Sequence, residues 1–186
     1  MPRATTAPSI TPGFAPAQRD AAAALYWQAF GAKLGRLLGP PDRGRAVIAR
    51  ALDPAFALSA VAPDGRLLGV AGFKTAAGAF VDLDFADLRP TFGIVGALWR
   101  APLLAITERP IEAGRLLMDG ICVDPDARGL GVGSALLDAI VDEARRRGLA
   151  EVRLDVIDRN ARARALYVRK GFRPVGDTSI GPLRFV

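Results

Sequence analysis

The 186-residue sequence predicts one α/β domain, in which helices flank a mixed, mostly antiparallel sheet. Two patterns support this fold class. The first half of the chain carries helical patterns followed by a hairpin signal, and the second half alternates strand, helix, strand and helix before two final strands. Hydrophobic residues make up 51% and charged residues 24%, which is typical of a globular protein with a single core.

The first half begins with a flexible lead over residues 1–12. A helix is predicted over 17–38, since Tyr26, Phe30 and Leu34 recur at helical spacing and Gly39-Pro40-Pro41 ends the pattern. A second helix is predicted over 43–52. Two strand patterns then flank Pro63-Asp64-Gly65, which indicates an antiparallel hairpin with strands at 56–62 and 66–74.

The segment 75–114 is predicted to be an insert. It contains a helical pattern over 88–106 that is interrupted by prolines. The pattern becomes regular again after Arg115. Strands are predicted at 116–123, 151–157, 172–175 and 179–186, and helices at 133–147 and 160–170.

Composition excludes several kinds of site. The sequence has no histidine and one cysteine, Cys122, so it excludes histidine catalysis, histidine metal sites, cysteine clusters and intramolecular disulfides. We expect no metal and a reducing, cytoplasmic setting. The net charge is +6, but the arginines are scattered and the run 145–147 falls at a predicted helix end, so no nucleic-acid partner is predicted. No signal peptide or bilayer-length apolar stretch occurs, so no membrane partner is predicted.

A glycine-rich loop joins the strand 116–123 to the helix 133–147. Its sequence is Arg128-Gly129-Leu130-Gly131-Val132-Gly133-Ser134. Closely spaced glycines let a ligand approach the backbone, and the amides of a helix N-terminus attract anions. We interpret the loop as a pyrophosphate cradle to which the Arg128 guanidinium adds a donor. A tight structural turn is the alternative, and the G-x-G-x-G spacing fits a dinucleotide loop poorly.

A second motif runs from Asn160 to Phe172. Asn160, Ala163 and Tyr167 lie near one face of the predicted helix. Taken alone, Asn160 is also typical of a helix N-cap, and Tyr167 of a half-buried core aromatic.

Together these two motifs resemble the GNAT superfamily of N-acetyltransferases. The arginine-led loop is similar to the family pattern R/Q-x-x-G-x-G/A, and the later segment to N-x-x-A-x-x-L-Y-x-x-x-G-F. The resemblance covers roughly residues 116–172. It implies a GNAT-like domain over the whole chain, with a splayed parallel strand pair at the cofactor site. It also implies acetyl-CoA as co-substrate and transfer of an acetyl group to a primary amine.

The resemblance implies roles for individual residues. Strand backbone would bind the pantetheine arm and polarise the thioester carbonyl, loop amides would bind the pyrophosphate, Asn160 would bind the cofactor arm, and Tyr167 would act as general acid. The implied cofactor set is Ile121, Cys122, Val123, Arg128, Gly129, Leu130, Gly131, Val132, Gly133, Ser134, Asn160 and Tyr167. The side chain of Cys122 itself is interpreted as a small core residue.

The general base and the acceptor pocket are less constrained. By strand alternation Asp119 shares a face with Ile121 and Val123, so it is a candidate base, with Glu112 and a water chain as alternatives. For the acceptor, a small molecule or a peptide amine, the candidate pocket residues are Tyr26, Trp27, Phe30 and Lys33. Core packing of the aromatic rings and an extended lysine along the apolar surface are the alternatives.

The segment 75–114 is longer than the short turn of the family pattern. It is a candidate for a lid over the acceptor or for a homodimer contact, and Asp82, Asp84 and Asp87 are candidates for attracting a cationic amine. Two other hypotheses are a CoA-binding sensor without catalysis and a nucleic-acid-binding protein suggested by charge alone.

Overall fold

The computed structural model describes residues 8–105, 114–156, 160–176, 178–180 and 183–185. Within these residues a six-stranded open sheet has the order β1-β2-β3-β5-β6, and β4 pairs with the far end of β3. Only the β5–β6 pair is parallel among them. The strands are β1 (Ser9–Pro12), β2 (Ala57–Val61), β3 (Leu67–Thr75), β4 (Gly78–Ala79), β5 (Arg115–Val123) and β6 (Glu151–Leu154). The predicted mixed, mostly antiparallel sheet is confirmed.

The helices follow the predicted order. They are α1 (Arg19–Leu38), α2 (Pro41–Ala51), α3 (Phe85–Ala105), α4 (Val132–Arg146) and α5 (Ala161–Arg169). The prolines Pro90 and Pro102 are accommodated in α3, and the helix is interrupted at Gly93, whose φ of 68° and ψ of 179° are not helical.

The sheet is covered on both faces. A β-carbon placed at Gly69 of β3 would contact Leu136 and Val132 of α4, whereas one placed at Gly120 of β5 would meet the ring of Phe30 on α1. The apolar side of α4 is buried against the sheet, and each fully buried leucine or isoleucine contributes about 1.5–3 kcal/mol. These two helices therefore fix the position of β5 from opposite sides.

The C-terminal part differs from the prediction. Residues 172–176 contain no strand; the final hairpin is instead formed by β7 (Thr178–Ile180) and β8 (Leu183–Phe185). The strand predicted at 151–157 is shorter in the structure: β6 ends at Leu154, Asp155 and Val156 form no strand, and Ile157 lies outside the described residues. Residues 9–12 of the predicted flexible lead form β1, and residues 1–7 and the candidate base Glu112 lie outside the described residues. None of the helices in the described ranges combines the length and apolar character needed to cross a membrane.

Close packing of α1 on α2 leads to a stability prediction. A methyl group added at Gly44 of α2 would overlap the ring of Trp27, so we expect Gly44→Ala to destabilise the fold by about 1–3 kcal/mol. Gly35 of α1 has no atom within 4 Å of the same position, so Gly35→Ala should be neutral or stabilising. Urea unfolding of both variants measures the difference; equal effects would contradict this packing.

Candidate active site

Strand β5 loses its parallel partner half-way along its length. Arg115–Met118 pairs with Glu151–Leu154, where β6 ends, and no other described strand pairs with β5 on that side beyond Met118. The amide of Asp124 donates to the carbonyl of Leu68 at 2.9 Å. Because antiparallel pairing alternates along a strand, the polar backbone groups of Ile121 and Val123 then point away from β3. We call this stretch of β5, residues 119–123, the open edge.

Within this stretch, the backbone groups of Cys122 face β3 and not the open edge. Its position is paired with Val70 of β3, so its backbone groups are used within the sheet, and its side chain is buried. The sheet pairing and the burial of Cys122 speak against its predicted place in the cofactor set, whereas the backbone groups of Ile121 and Val123 point toward the open edge.

A bulge in β5 changes the position of Asp119. Met118 pairs with Phe73 and Gly120 with Gly72, which leaves Asp119 as an extra residue between them. A bulge resets the alternation of side chains along the strand. Asp119 therefore lies on the α1 side with Gly120, whereas Val123 packs toward Gly133 of α4. The expectation that Asp119 shares a face with Ile121 and Val123 was wrong for this reason.

The glycine-rich loop leads directly from the open edge into α4. Gly129 and Gly131 have φ angles of 84° and 82°, a left-handed conformation that side chains other than glycine rarely adopt. Gly131 is the N-cap of α4, and no described side chain caps this helix end. The first amides of α4, on Val132, Gly133 and Ser134, therefore lie at the positive end of the helix dipole, where an anion is favoured.

Arg128 connects the loop with the open edge. Its guanidinium is exposed, and its Nε donates to the Val123 carbonyl at 3.3 Å. A ligand that accepts or donates at the Val123 backbone would compete with this contact.

Helix α5 packs beside the start of α4. The Asn160 side chain accepts a hydrogen bond from the Ala163 amide at 3.1 Å, so the N-cap interpretation of Asn160 describes its contact in the structure. Lys170 forms an ion pair with Asp138 of α4 at 2.7 Å. A β-carbon at Gly133 would lie 3.5 Å from Leu166, so the two helices are in close contact at the loop.

Tyr167 lies half-buried on α5, with its ring against Phe172. Burial, with a smaller contribution from the nearby Cys122 thiol, raises the pKa of Tyr167 from 10.0 to about 12. Burial also raises the pKa of Cys122 to about 12. The phenol therefore stays protonated and able to donate a hydrogen bond well above neutral pH, and the thiol carries too little thiolate to act as a nucleophile.

These two pKa shifts predict a loss of stability at alkaline pH. Both groups hold their protons in the folded chain up to about pH 12, whereas the unfolded chain releases them near pH 9 and pH 10. The folded state thus binds more protons in this window, so its stability falls as pH rises. Tyr167→Phe removes one contribution, and we expect its melting temperature to fall less than that of the wild type between about pH 10 and pH 12. Equal losses would contradict the burial of the phenol.

A cleft of about 190 Å³ lies between α1 and the β3–β5 part of the sheet. Tyr26, Phe30 and Lys33, three of the predicted acceptor residues, line it. Its walls are mostly apolar and its charged side chains have both signs. The remaining lining residues are Leu34, Lys74, Val81, Leu83, Leu104, Leu117, Met118, Asp119 and Asp155.

Trp27 does not belong to this cleft. Its ring packs on Gly44 and Gly31, because α1 turns this face toward α2. Asp84 and Asp87 also lie outside the lining: each carboxylate accepts from the other's backbone amide, at 2.9 and 3.3 Å, and together they stabilise the start of α3. Asp82 does not line the cleft either.

Sequence reasoning missed Lys74 and Asp155 in the cleft. Lys74 carried a signal, since it is one of three lysines and ends an otherwise apolar strand pattern. Nothing comparable in the sequence indicated Asp155, because its position beside the cleft depends on where β6 ends.

Comparison with known proteins gives consistent matches. The model of the Acetyltransferase (GNAT) family matches residues 20–172. A mycothiol acetyltransferase of Beutenbergia cavernae is 55% identical over 53 residues, 28% of this chain and 18% of that protein. The [ribosomal protein bS18]-alanine N-acetyltransferase of Escherichia coli is 43% identical over 68 residues, 37% of this chain and 45% of that protein. The matched region thus spans less than half the length of these relatives.

The fold has matches over nearly its whole length. An N-acetyltransferase of Staphylococcus aureus Mu50 superposes with a TM-score of 0.69 at 14% identity, covering 95% of this chain and 97% of the other. At this identity the match establishes the shared architecture.

Proposed function

Since this chain belongs to the Acetyltransferase (GNAT) family, we propose that it transfers an acetyl group from acetyl-CoA to a primary amine. The observation that carries the proposal is the continuity of the open edge with the uncapped start of α4. An extended chain of amides ending in a pyrophosphate matches such a surface. Acetyl-CoA, the co-substrate of the family, is a molecule of this kind.

The residues present fit this co-substrate. The open edge spans five residues, roughly 16 Å at the rise of a strand, and offers the backbone groups of Ile121 and Val123 to the amides of the pantetheine arm. The amides from Gly129 to Ser134 then receive the pyrophosphate, which an added side chain at Gly131 would displace. The side-chain oxygen of Asn160 caps α5, so its Nδ2 group, which carries two N–H donors, is proposed to donate to the cofactor arm at the same end of the helix.

The acceptor amine enters from the cleft on the α1 side and attacks the thioester carbonyl carbon. As the new C–N bond forms, negative charge develops on the carbonyl oxygen and the bond to sulfur breaks. The proposed donor to this oxygen is the backbone amide of Ile121 or its neighbour, and such an interaction typically lowers the barrier by about 3–4 kcal/mol. Asp119 lies where the cleft meets the open edge and is the proposed base for the amine proton.

Tyr167 is the proposed general acid for the departing sulfur. In the ligand-free chain the pKa of Tyr167 is about 12, above the usual thiol pKa of about 8.5. With this pKa, complete transfer of the phenol proton to a departing thiolate is energetically unfavourable. Its contribution is therefore a hydrogen bond that strengthens as charge builds on sulfur. No step requires a covalent bond to the protein.

The test is calorimetric titration with acetyl-CoA, CoA and NAD, followed by a thiol-release assay with a panel of amines. The panel should include free amino sugars, polyamines and peptides beginning with alanine. Binding of acetyl-CoA without NAD binding, together with amine-dependent thiol release, is the expected result. Binding without turnover for every amine would favour the sensor hypothesis, and no binding of either CoA species would overturn the proposal.

A further inference from the structure

Helix α3 presents an apolar stripe to solvent. Ile94, Val95, Leu98, Trp99 and Leu103 recur at helical spacing after the break at Gly93, and they are between 43 and 79% exposed. These fractions correspond to roughly 600 Å² of apolar surface, the upper end of what a typical monomer exposes in one patch. We call these five residues the α3 stripe.

The orientation of this helix is fixed by its opposite side. Leu88, Ala97 and Leu104 are buried, and α3 packs along α2. The Arg100 guanidinium donates to the Leu37 carbonyl at 2.7 Å and to the Gly96 carbonyl at 3.0 Å. It also lies 4.0 Å from the Trp99 ring and 4.1 Å from the Phe92 ring. Rotating α3 to hide the stripe would break these contacts, so the stripe is a stable feature of the surface.

We propose that the α3 stripe joins two copies of this chain about a two-fold axis. The chain carries a net charge of +6, so contact between two copies is favoured at a surface that adds little charge repulsion. Within the span of the stripe the charged residue is Arg100, whose guanidinium donates to the Leu37 and Gly96 carbonyls and stacks on the Trp99 ring, so its charge is engaged within the chain at the margin of the apolar surface. Two such faces are self-complementary, as a two-fold interface requires.

The surface area that the α3 stripe could bury also favours a second copy of this chain as the partner. Two stripes in contact bury about 1,200 Å², the lower limit of specific protein interfaces. A membrane surface is the less favourable partner, since interfacial helices usually flank their apolar face with lysines and arginines that reach the lipid headgroups. Because the Arg100 guanidinium donates to the Gly96 carbonyl, it does not reach outward to contact lipid headgroups.

Dimer formation through the α3 stripe does not require acetyl transfer, but it would affect the cleft in which the acceptor is proposed to bind. Leu104 lies on the buried side of the same helix and lines the cleft. Pairing through the stripe would therefore hold one wall of the cleft in place.

The test is sedimentation velocity of the wild type and of Val95→Glu and Leu98→Glu, from low to high micromolar concentration. We expect twice the monomer mass of 19.6 kDa for the wild type and the monomer mass for both variants. Val175→Glu is the matched control, because Val175 is 82% exposed and lies outside α3; it should remain dimeric. Circular dichroism verifies that each variant is folded, as expected because all three substitutions are at exposed positions and the two in α3 introduce a good helix former.

Three outcomes would overturn the proposal. The first is a wild type that stays monomeric at every concentration. The second is a dimer that survives both glutamate substitutions. The third is a monomer that binds vesicles of phosphatidylglycerol and phosphatidylcholine through a contact that Val95→Glu abolishes, which would assign the stripe to a lipid surface.

Discussion

Gly131→Leu is expected to lower acetyl-CoA affinity by about 100-fold or more while the protein stays folded. The residue has a left-handed backbone, and the space around its β-position is empty within 4 Å. A leucine there would project into the region where the loop amides are proposed to meet the pyrophosphate. Each hydrogen bond to a charged group contributes about 1.5–3 kcal/mol, so losing two accounts for this decrease. Calorimetric titration measures the effect.

The matched control for this variant is Gly148→Leu. Gly148 follows the other end of α4, has a φ of 68° and also has nothing within 4 Å of its β-position. Both substitutions impose a similar backbone strain of roughly 1–2 kcal/mol, but only the one at Gly131 lies at the proposed cradle. Equal loss of affinity in the two variants would mean that strain, and not the ligand contact, weakens binding. Unchanged affinity in Gly131→Leu would remove the loop from the site.

Tyr167→Phe is expected to lower kcat by about 10- to 150-fold with little change in acetyl-CoA affinity, since a hydrogen bond to a charged group contributes about 1.5–3 kcal/mol. The substitution keeps the ring that packs on Phe172 and removes only the hydroxyl. The hydroxyl is proposed to act on the sulfur as charge develops, so its loss should affect the transition state more than the bound substrate. Single-turnover kinetics and titration of the same preparation separate the two effects.

The pH dependence of this reaction gives an internal check. Because the pKa of Tyr167 is about 12, ionisation of the phenol should cause no fall in kcat below about pH 10.

Equal rates for the wild type and Tyr167→Phe would exclude the phenol from the mechanism. The protein would then rely on the backbone donors and on solvent to release the thiolate.

The parts of the site that depend on local backbone could be predicted from the sequence. The loop is readable because Gly129 and Gly131 adopt a backbone that favours glycine, and because a strand precedes and a helix follows them. Asn160 is readable because a helix N-cap has its own residue preference. In both cases the residues that determine the local conformation lie within a few positions of it in the sequence.

The parts that depend on distant pairing could not be predicted. The position of Asp119 depends on its register against Gly72 and Phe73, more than forty residues earlier, and a bulge shifts that register by one. Trp27 likewise packs toward Gly44 because the missing side chain there makes room for its ring. Neither partner is visible in the pattern of the segment itself.

Along the open edge β5 has no neighbouring strand among the described residues, so the sheet exposes unpaired backbone groups there. Most proteins confine unpaired strand groups to the margins of a sheet and protect them there, because such groups invite pairing with other chains. Here Arg128 covers the Val123 carbonyl with one weak contact. A ligand that completes the edge would act as a structural component as well as a reactant. At a concentration 100 times its Kd it would stabilise the folded chain by about 2.7 kcal/mol, so the supply of acetyl-CoA would also govern how well the protein resists unfolding and misassembly.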